Sequence, residues 1–117
     1  MSKEEREFHH HDEVSWTPVA ADSGAAGEGM MEKILNFDTE AGVATRMLRF
    51  APGVETEEVI THDFWEEVYI IEGELQDTRI NQTFTIGMSA CRPPGMPHGP
   101  YSSPIGCTTF EVRYYRR

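Results

Sequence analysis

The sequence predicts an all-β protein, a small antiparallel β-barrel or sandwich, on three observations. No apolar pattern of helical period persists over four turns. Stretches rich in β-branched and aromatic residues are separated by Gly, Pro, Asn and Asp signals every several residues. The 117 residues suffice for one hydrophobic core and not for two.

Positions 1–13 are mostly polar and read as a flexible N-terminal segment, with 14–117 as a single domain. His9, His10 and His11 stand together in that segment; such an exposed run is ordinarily solvated, so no active site is built on it. Residues 14–19 alternate loosely around Trp16, as a strand at a sheet edge would. The small, polar stretch 20–29 (AADSGAAGEG) reads as a loop. Residues 30–37 fit a strand or a short helix, and 38–42 have turn composition. Val43–Phe50 reads as a strand closed by Pro52 and Gly53. Ala44, Arg46, Leu48 and Phe50 share one of its faces, and Val43, Thr45, Met47 and Arg49 the other. Each face carries an arginine, so one of them meets a polar cavity or solvent.

Further strands are expected at 57–62, at 66–75 with Gly73 as a turn or bulge, at 80–86, at 88–92 and at 107–115. Pro93-Pro94-Gly95 forms a rigid turn after the fourth of these.

Composition excludes several function classes. Ten basic against twenty acidic side chains give a formal charge of −10. Such a chain releases few counterions from DNA or RNA and is repelled by anionic lipid, so neither nucleic acid nor a membrane is expected as partner. No apolar run approaches the ~20 residues of a membrane helix, and residues 1–7 lack the apolar core of a signal peptide. Two cysteines, Cys91 and Cys107, are too few for a disulfide framework. A cytoplasmic, reduced protein is the expectation, with both cysteines as small buried hydrophobes.

Two stretches carry chemistry. In 53–73 (GVETEEVITHDFWEEVYIIEG), His62 is followed after three residues by Glu66, and Glu66 after six by Gly73. In 87–98 (GMSACRPPGMPH), Gly87 is followed after five residues by Pro93-x-Gly95, and then after two by His98. These spacings resemble the two motifs of the cupin superfamily. The second is matched up to its final Asn, where Ser102 stands. The first lacks its leading histidine, replaced by Ile60, and Gly53 lies one residue upstream of its opening glycine. The resemblance runs from about Trp16 to the C-terminus. It points to the short cupins found as anti-sigma-factor domains and as diketone-cleaving dioxygenases.

The resemblance implies a jelly-roll barrel, or double-stranded β-helix, that holds one divalent metal ion (Fe, Zn, Mn or Ni). His62, Glu66 and His98 are then the ligands. Two imidazoles and a carboxylate on neighbouring strands leave coordination positions open, which suits Fe(II) or another divalent first-row metal. Such a site can polarise a carbonyl, hold an enolate, or bind water or oxygen. The alternative is that His62 and His98 are ordinary polar residues of a cavity. Counting back six residues from Gly73 selects Glu66 over Glu67 as the inward carboxylate, unless a bulge flips the pair. Glu66 is also the candidate catalytic residue, as ligand or as general base on an acidic C–H.

Arg49, Gln76, Met96, Tyr101 and Glu111 are candidate pocket residues. Met88 and Met96 flank the turn before His98, where they would shape a hydrophobic mouth. No phosphate-binding loop, nucleophile elbow or zinc-spaced cysteine pair competes. Two functions remain open. One is an enzyme acting on a small oxygenated organic substrate, by dioxygenase or isomerase/lyase chemistry. The other is a non-catalytic module that senses a small molecule or metal. Short cupins also pair, because a small barrel leaves sheet edges a second copy can cover, so a homodimer is expected.

Overall fold

The computed structural model describes residues 3–19 and 28–116. Most of the stretch 20–29, read above as a loop, lies outside the described residues. The described residues contain one 3-10 turn, at His11–Glu13, and no helix long and apolar enough to cross a membrane. The remaining elements are strands: β1 (Thr17–Pro18), β2 (Met30–Asp38), β3 (Val43–Phe50), β4 (Val54–Glu55), β5 (Trp65–Asp77), β6 (Gln82–Thr85), β7 (Ser89–Arg92), β8 (Tyr101–Ser103) and β9 (Cys107–Tyr114).

All pairings are antiparallel, along the path β1-β2-β3-β9-β5-β8-β4, with β6 and β7 also on β5. The result is a curled antiparallel sheet of jelly-roll type. Residues 30–37, which by composition fit either strand or helix, are strand. Their ladder to β3 runs from Met30↔Phe50 to Asp38↔Val43. The turn between these strands is closed by Asp38, whose Oδ1 accepts the N–H groups of Glu40 and Ala41, both at 3.0 Å. An Asp side chain that mimics a backbone turn in this way stops β2 and reverses the chain.

β5 is the organising strand. Its first half pairs with β7 and β9, its second half with β6 and β8. A register shift between Ile70 and Glu72 separates the halves. Upstream of it Glu66, Val68 and Ile70 are buried and face inward; downstream the inward pair is Leu75 and Asp77. The bulge therefore changes the parity of alternation along one strand.

The core joins Met30, Leu48, Phe50, Val54, Ile70, Leu75, Tyr101 and Cys107 inside the curl. Each fully buried side chain of this size contributes about 1.5–3 kcal/mol. On the outer side of β2, Lys33 is buried beneath the N-terminal segment. Its Nζ donates to the His11 carbonyl at 3.0 Å and lies 4.7 Å from the Trp16 ring centroid.

Three local expectations change. Residues 57–62 form no strand; Ile60 makes an isolated bridge with His98. The short β8 carries no periodicity long enough to be read and exists because Tyr101 and Ser102 pair with β5. Cys107 is buried as expected, and burial pushes its thiol up to about 12. Cys91 is exposed instead. Arg92 lines a partly open cavity on the inner side of β7, so its neighbour takes the opposite face.

Candidate metal centre and adjoining cavity

Four strands, β3, β5, β7 and β9, and the turn after β7 bring the site together. Cross-strand register places Glu66 of β5 opposite Arg113 of β9 on one side and Arg92 of β7 on the other. The β3–β9 ladder places Arg46 opposite Glu111. His98 enters through backbone bonds to Ile60, with N–H to carbonyl distances of 2.8 and 2.9 Å in the two directions. His62 is tied to the Pro93-Pro94-Gly95 turn, since its carbonyl accepts the Gly95 N–H at 2.9 Å. Its ring stacks on Phe64 with centroids 4.4 Å apart, and lies 5.0 Å from the His98 ring.

His62, Glu66 and His98 each direct one ligand atom to a common place, all within 4.8 Å of one another. The His98 ring is oriented by Tyr101, whose hydroxyl lies 2.8 Å from Nδ1. That leaves Nε2 for the site, a division of labour typical of metal-binding imidazoles. Four buried atoms lack a hydrogen-bond partner here, His98 Nε2, Glu66 Oε2, and Nε and Nη2 of Arg113, with Arg113 Nη2 3.6 Å from Glu66 Oε2 as an ion pair. Buried polar atoms are ordinarily satisfied, and a carboxylate oxygen beside an orphaned imidazole nitrogen fits a divalent cation. The donor set therefore suits the group that the motif resemblance implies.

The electrostatics favour neutral imidazoles. Burial, then Arg92, lowers His98 to about 3, and burial, then Arg113, lowers His62 from its ordinary value. Burial, then the Glu111 charge, raises Glu66 to about 7, against the opposing pull of Arg46, Arg113 and Arg92. The Arg92 and Arg113 guanidiniums lie 3.5 and 3.6 Å from its two oxygens.

Beneath the ligands lies a second charged group. Arg46 donates Nε to Glu111 Oε1 at 2.9 Å, with Nη2 at 2.8 Å from the same oxygen, and Thr109 donates to Oε2 at 2.8 Å. Burial works to raise the Glu111 carboxyl, but the Arg46 charge and these hydrogen bonds hold it below the ordinary carboxylate value.

Of the residues singled out in the sequence, Tyr101 and Glu111 line this inner site. Met96 lines the adjoining cavity together with Met88. Arg49 and Gln76 do neither. Strict alternation on β3 turns Arg46 inward and Arg49 outward, where it lies 5.5 Å over the Trp16 ring. Gln76 is displaced by the bulge in β5, which hands the inward positions to Leu75 and Asp77. Glu67 is exposed and accepts the Tyr114 hydroxyl at 2.9 Å, so the inward member of the pair is Glu66. Sequence reasoning missed Arg46, Arg92 and Arg113. For Arg46 a signal existed, a lone cation on the face shared by Ala44, Leu48 and Phe50.

A second cluster, His10, His11 and Asp12, is exposed and already paired, within itself at 3.2 and 3.5 Å and with Lys33 Nζ, 2.9 Å from His11 Nδ1.

The adjoining cavity of about 160 Å³ is walled by apolar side chains of β5, β6 and β7. Val68, Leu75, Arg92 and His98 line both it and the inner site, so the two spaces share one wall.

A curled sheet with paired imidazoles and a carboxylate at its centre defines a cupin. The chain belongs to the ChrR cupin-like domain family, whose model matches residues 4–114. No curated protein matches it. Among solved structures it is similar to an RmlC-like cupin from Shewanella frigidimarina, with 22% identity, TM-score 0.76, and coverage of 100% of this chain and 96% of that one. It is also similar to an acetylacetone dioxygenase from Acinetobacter johnsonii, with 14% identity, TM-score 0.74, and coverage of 95% and 74%. A third likeness is to the Rhodobacter sphaeroides complex of SigE with the anti-sigma ChrR, with 19% identity, TM-score 0.64, and coverage of 86% of this chain and 50% of that chain. At these identities the structural likenesses establish the fold alone.

Proposed function

We propose that the chain is a metal-dependent cupin acting on a small oxygenated organic molecule, with His62, Glu66 and His98 holding one divalent ion. The observation that carries this reading is the convergence of His62, Glu66 and His98 within 4.8 Å, with His98 Nε2 buried and without a hydrogen-bond partner. When bound, the ion would supply Lewis acidity toward a carbonyl or hydroxyl oxygen. The chain's own residues do the rest. Tyr101 fixes the His98 ring through Nδ1. Glu66 serves either as the third ligand or as a base, taking a proton at Oε2 from an acidic C–H. The Arg46–Glu111 pair stands behind Glu66 and holds a fixed field in which no reorganisation is needed. Leu48, Phe50, Val68 and Leu75 supply the apolar part of the wall around this site.

The test is metal content. Wild-type protein loaded with Fe, Zn, Mn or Ni should retain one ion per chain after desalting. His98→Ala should weaken retention by about a hundredfold or more, since losing even an outer partner of a ligand costs 10–100-fold. No stoichiometric ion in the wild type, together with an unchanged variant, overturns the reading.

A second reading is favoured by one observation, the match to the ChrR cupin-like family. In it the loaded barrel is a sensing module without turnover. Metal retention without oxygen uptake or consumption of diketones and hydroxy-ketones would select it.

We extend the proposal to a homodimer. Tyr69, Ile71 and Phe110 are exposed large hydrophobics on β5 and β9, and β1 and β4 end the sheet path. Sedimentation should give twice the chain mass at micromolar concentration, and a monomer there removes the claim.

A further inference from the structure

We propose that the cavity adjoining the metal centre takes the apolar body of a small carboxylic acid, with Arg92 as the anchor for its carboxylate. This deepens the reading above and rests on the barrel interior being a small-molecule site, but it does not require the ion.

Size and chemistry point to the ligand class. The cavity holds about 160 Å³ and is walled largely by Val68, Ile70, Leu75, Phe84, Met88 and Met96. An apolar cavity of about 150 Å³ accommodates benzene, so the body is roughly one ring in size. Such walls reject a body rich in hydroxyls, because each would be desolvated without a partner.

Charge selects the head group. The chain as a whole is at −10, yet this wall carries two guanidiniums, Arg92 and Arg79, against the single carboxylate of Asp77. Asp77 is already committed. Its Oδ1 accepts the Arg79 and Ile80 N–H groups at 3.0 and 3.4 Å, and its Oδ2 accepts Gly99 N–H at 3.0 Å. Arg79 is exposed and donates Nη2 to the Pro97 carbonyl at 3.2 Å. Arg92 is different. Its side chain is largely buried, and its hydrogen bond to Glu66 Oε1 is long, at 3.5 Å. A guanidinium offers five N–H donors in a planar fork that matches a carboxylate. Arg92 and His98 belong to both spaces, so an acid whose body fills the cavity places its carboxylate at the shared wall, beside the ligand cluster.

Titration calorimetry with benzoate tests this, with benzamide as the uncharged match and malonate as the acid without a ring. Each is titrated into metal-stripped and zinc-loaded protein. Benzoate should bind wild type at least about tenfold more tightly than either control, since a charged hydrogen-bond partner is worth more than a neutral one. Arg92→Gln should remove at least about tenfold of the benzoate affinity and leave benzamide within about twofold. Met88→Asp, at a half-exposed position on the rim, should weaken benzoate similarly and covers the case in which Arg92→Gln does not fold. Benzoate that binds no better than benzamide, or that ignores both substitutions, overturns the inference. Benzoate preference in a protein that takes up no metal sustains it while the metal reading falls. Stoichiometric metal without benzoate preference does the reverse.

Discussion

Glu111→Gln is expected to destabilise the protein by about 3–5 kcal/mol, the cost of breaking a buried ion pair from one side. Both side chains of the Arg46–Glu111 pair are 5% exposed, so neither can turn to water when its partner is lost. With the carboxylate gone, Arg46 keeps a contact to Glu32 at 3.5 Å and the more distant charge of Glu66. For 117 residues, about 4 °C of Tm accompanies each kcal/mol, so thermal unfolding should fall by on the order of 12–20 °C. Replacing both members, Arg46→Met with Glu111→Leu, should recover most of the loss, because it also removes the desolvation penalty. The acid limb supplies an independent sign. Glu111 is held below the ordinary carboxylate value, so its contribution is complete above that value and disappears as pH falls through the lowered one. The Gln variant should therefore lose less stability on acidification than wild type. A single variant within about 1 kcal/mol of wild type, or a double variant no better than the single, would sink the argument.

The sequence spoke clearly where physics is local. Alternation in Val43–Phe50 placed Arg46, Leu48 and Phe50 on one face, and they line the inner site together. Counting back from Gly73 selected Glu66 over Glu67, and β5 turns Glu66 inward. The turn after β7 and the position of His98 were legible because Pro and Gly restrict the backbone in ways a sequence displays. What was not legible depends on partners distant in the chain. The bulge after Ile70 is set by the fit of β5 to β9, so the reversal of parity that excludes Gln76 has no local signature. The two arginines beside Glu66 come from β7 and β9, 26 and 47 residues away, and only cross-strand register brings them there. Cys91 was misread for a related reason, since a four-residue strand next to a turn shows no periodicity from which to choose a face.

That same dependence on register gives Gly73→Ala a large expected effect, a loss of about 2–5 kcal/mol. Gly73 sits inside β5 with φ at +76°, just past the bulge, where the strand passes from one set of partners to the other. A residue with a Cβ pays about 1–2 kcal/mol for that backbone conformation alone. At this position the Cβ would also run into the Gly106 carbonyl and approach the Cys107 Cα at 2.9 Å. Backbone cannot step aside as a flexible side chain can, and overpacking of this kind adds about 1–3 kcal/mol. The relaxation that relieves it must move the start of β9, which carries Thr109 and Glu111 into the site. Gly53→Ala is the matched control. Gly53 has φ at +88° but open space around the added atom, so it should lose only the conformational share, about 1–2 kcal/mol. Thermal unfolding of the two variants separates strain from collision. If Gly73→Ala costs no more than Gly53→Ala, the close approach of β5 to the β8–β9 turn is not what holds the two halves of the barrel in register.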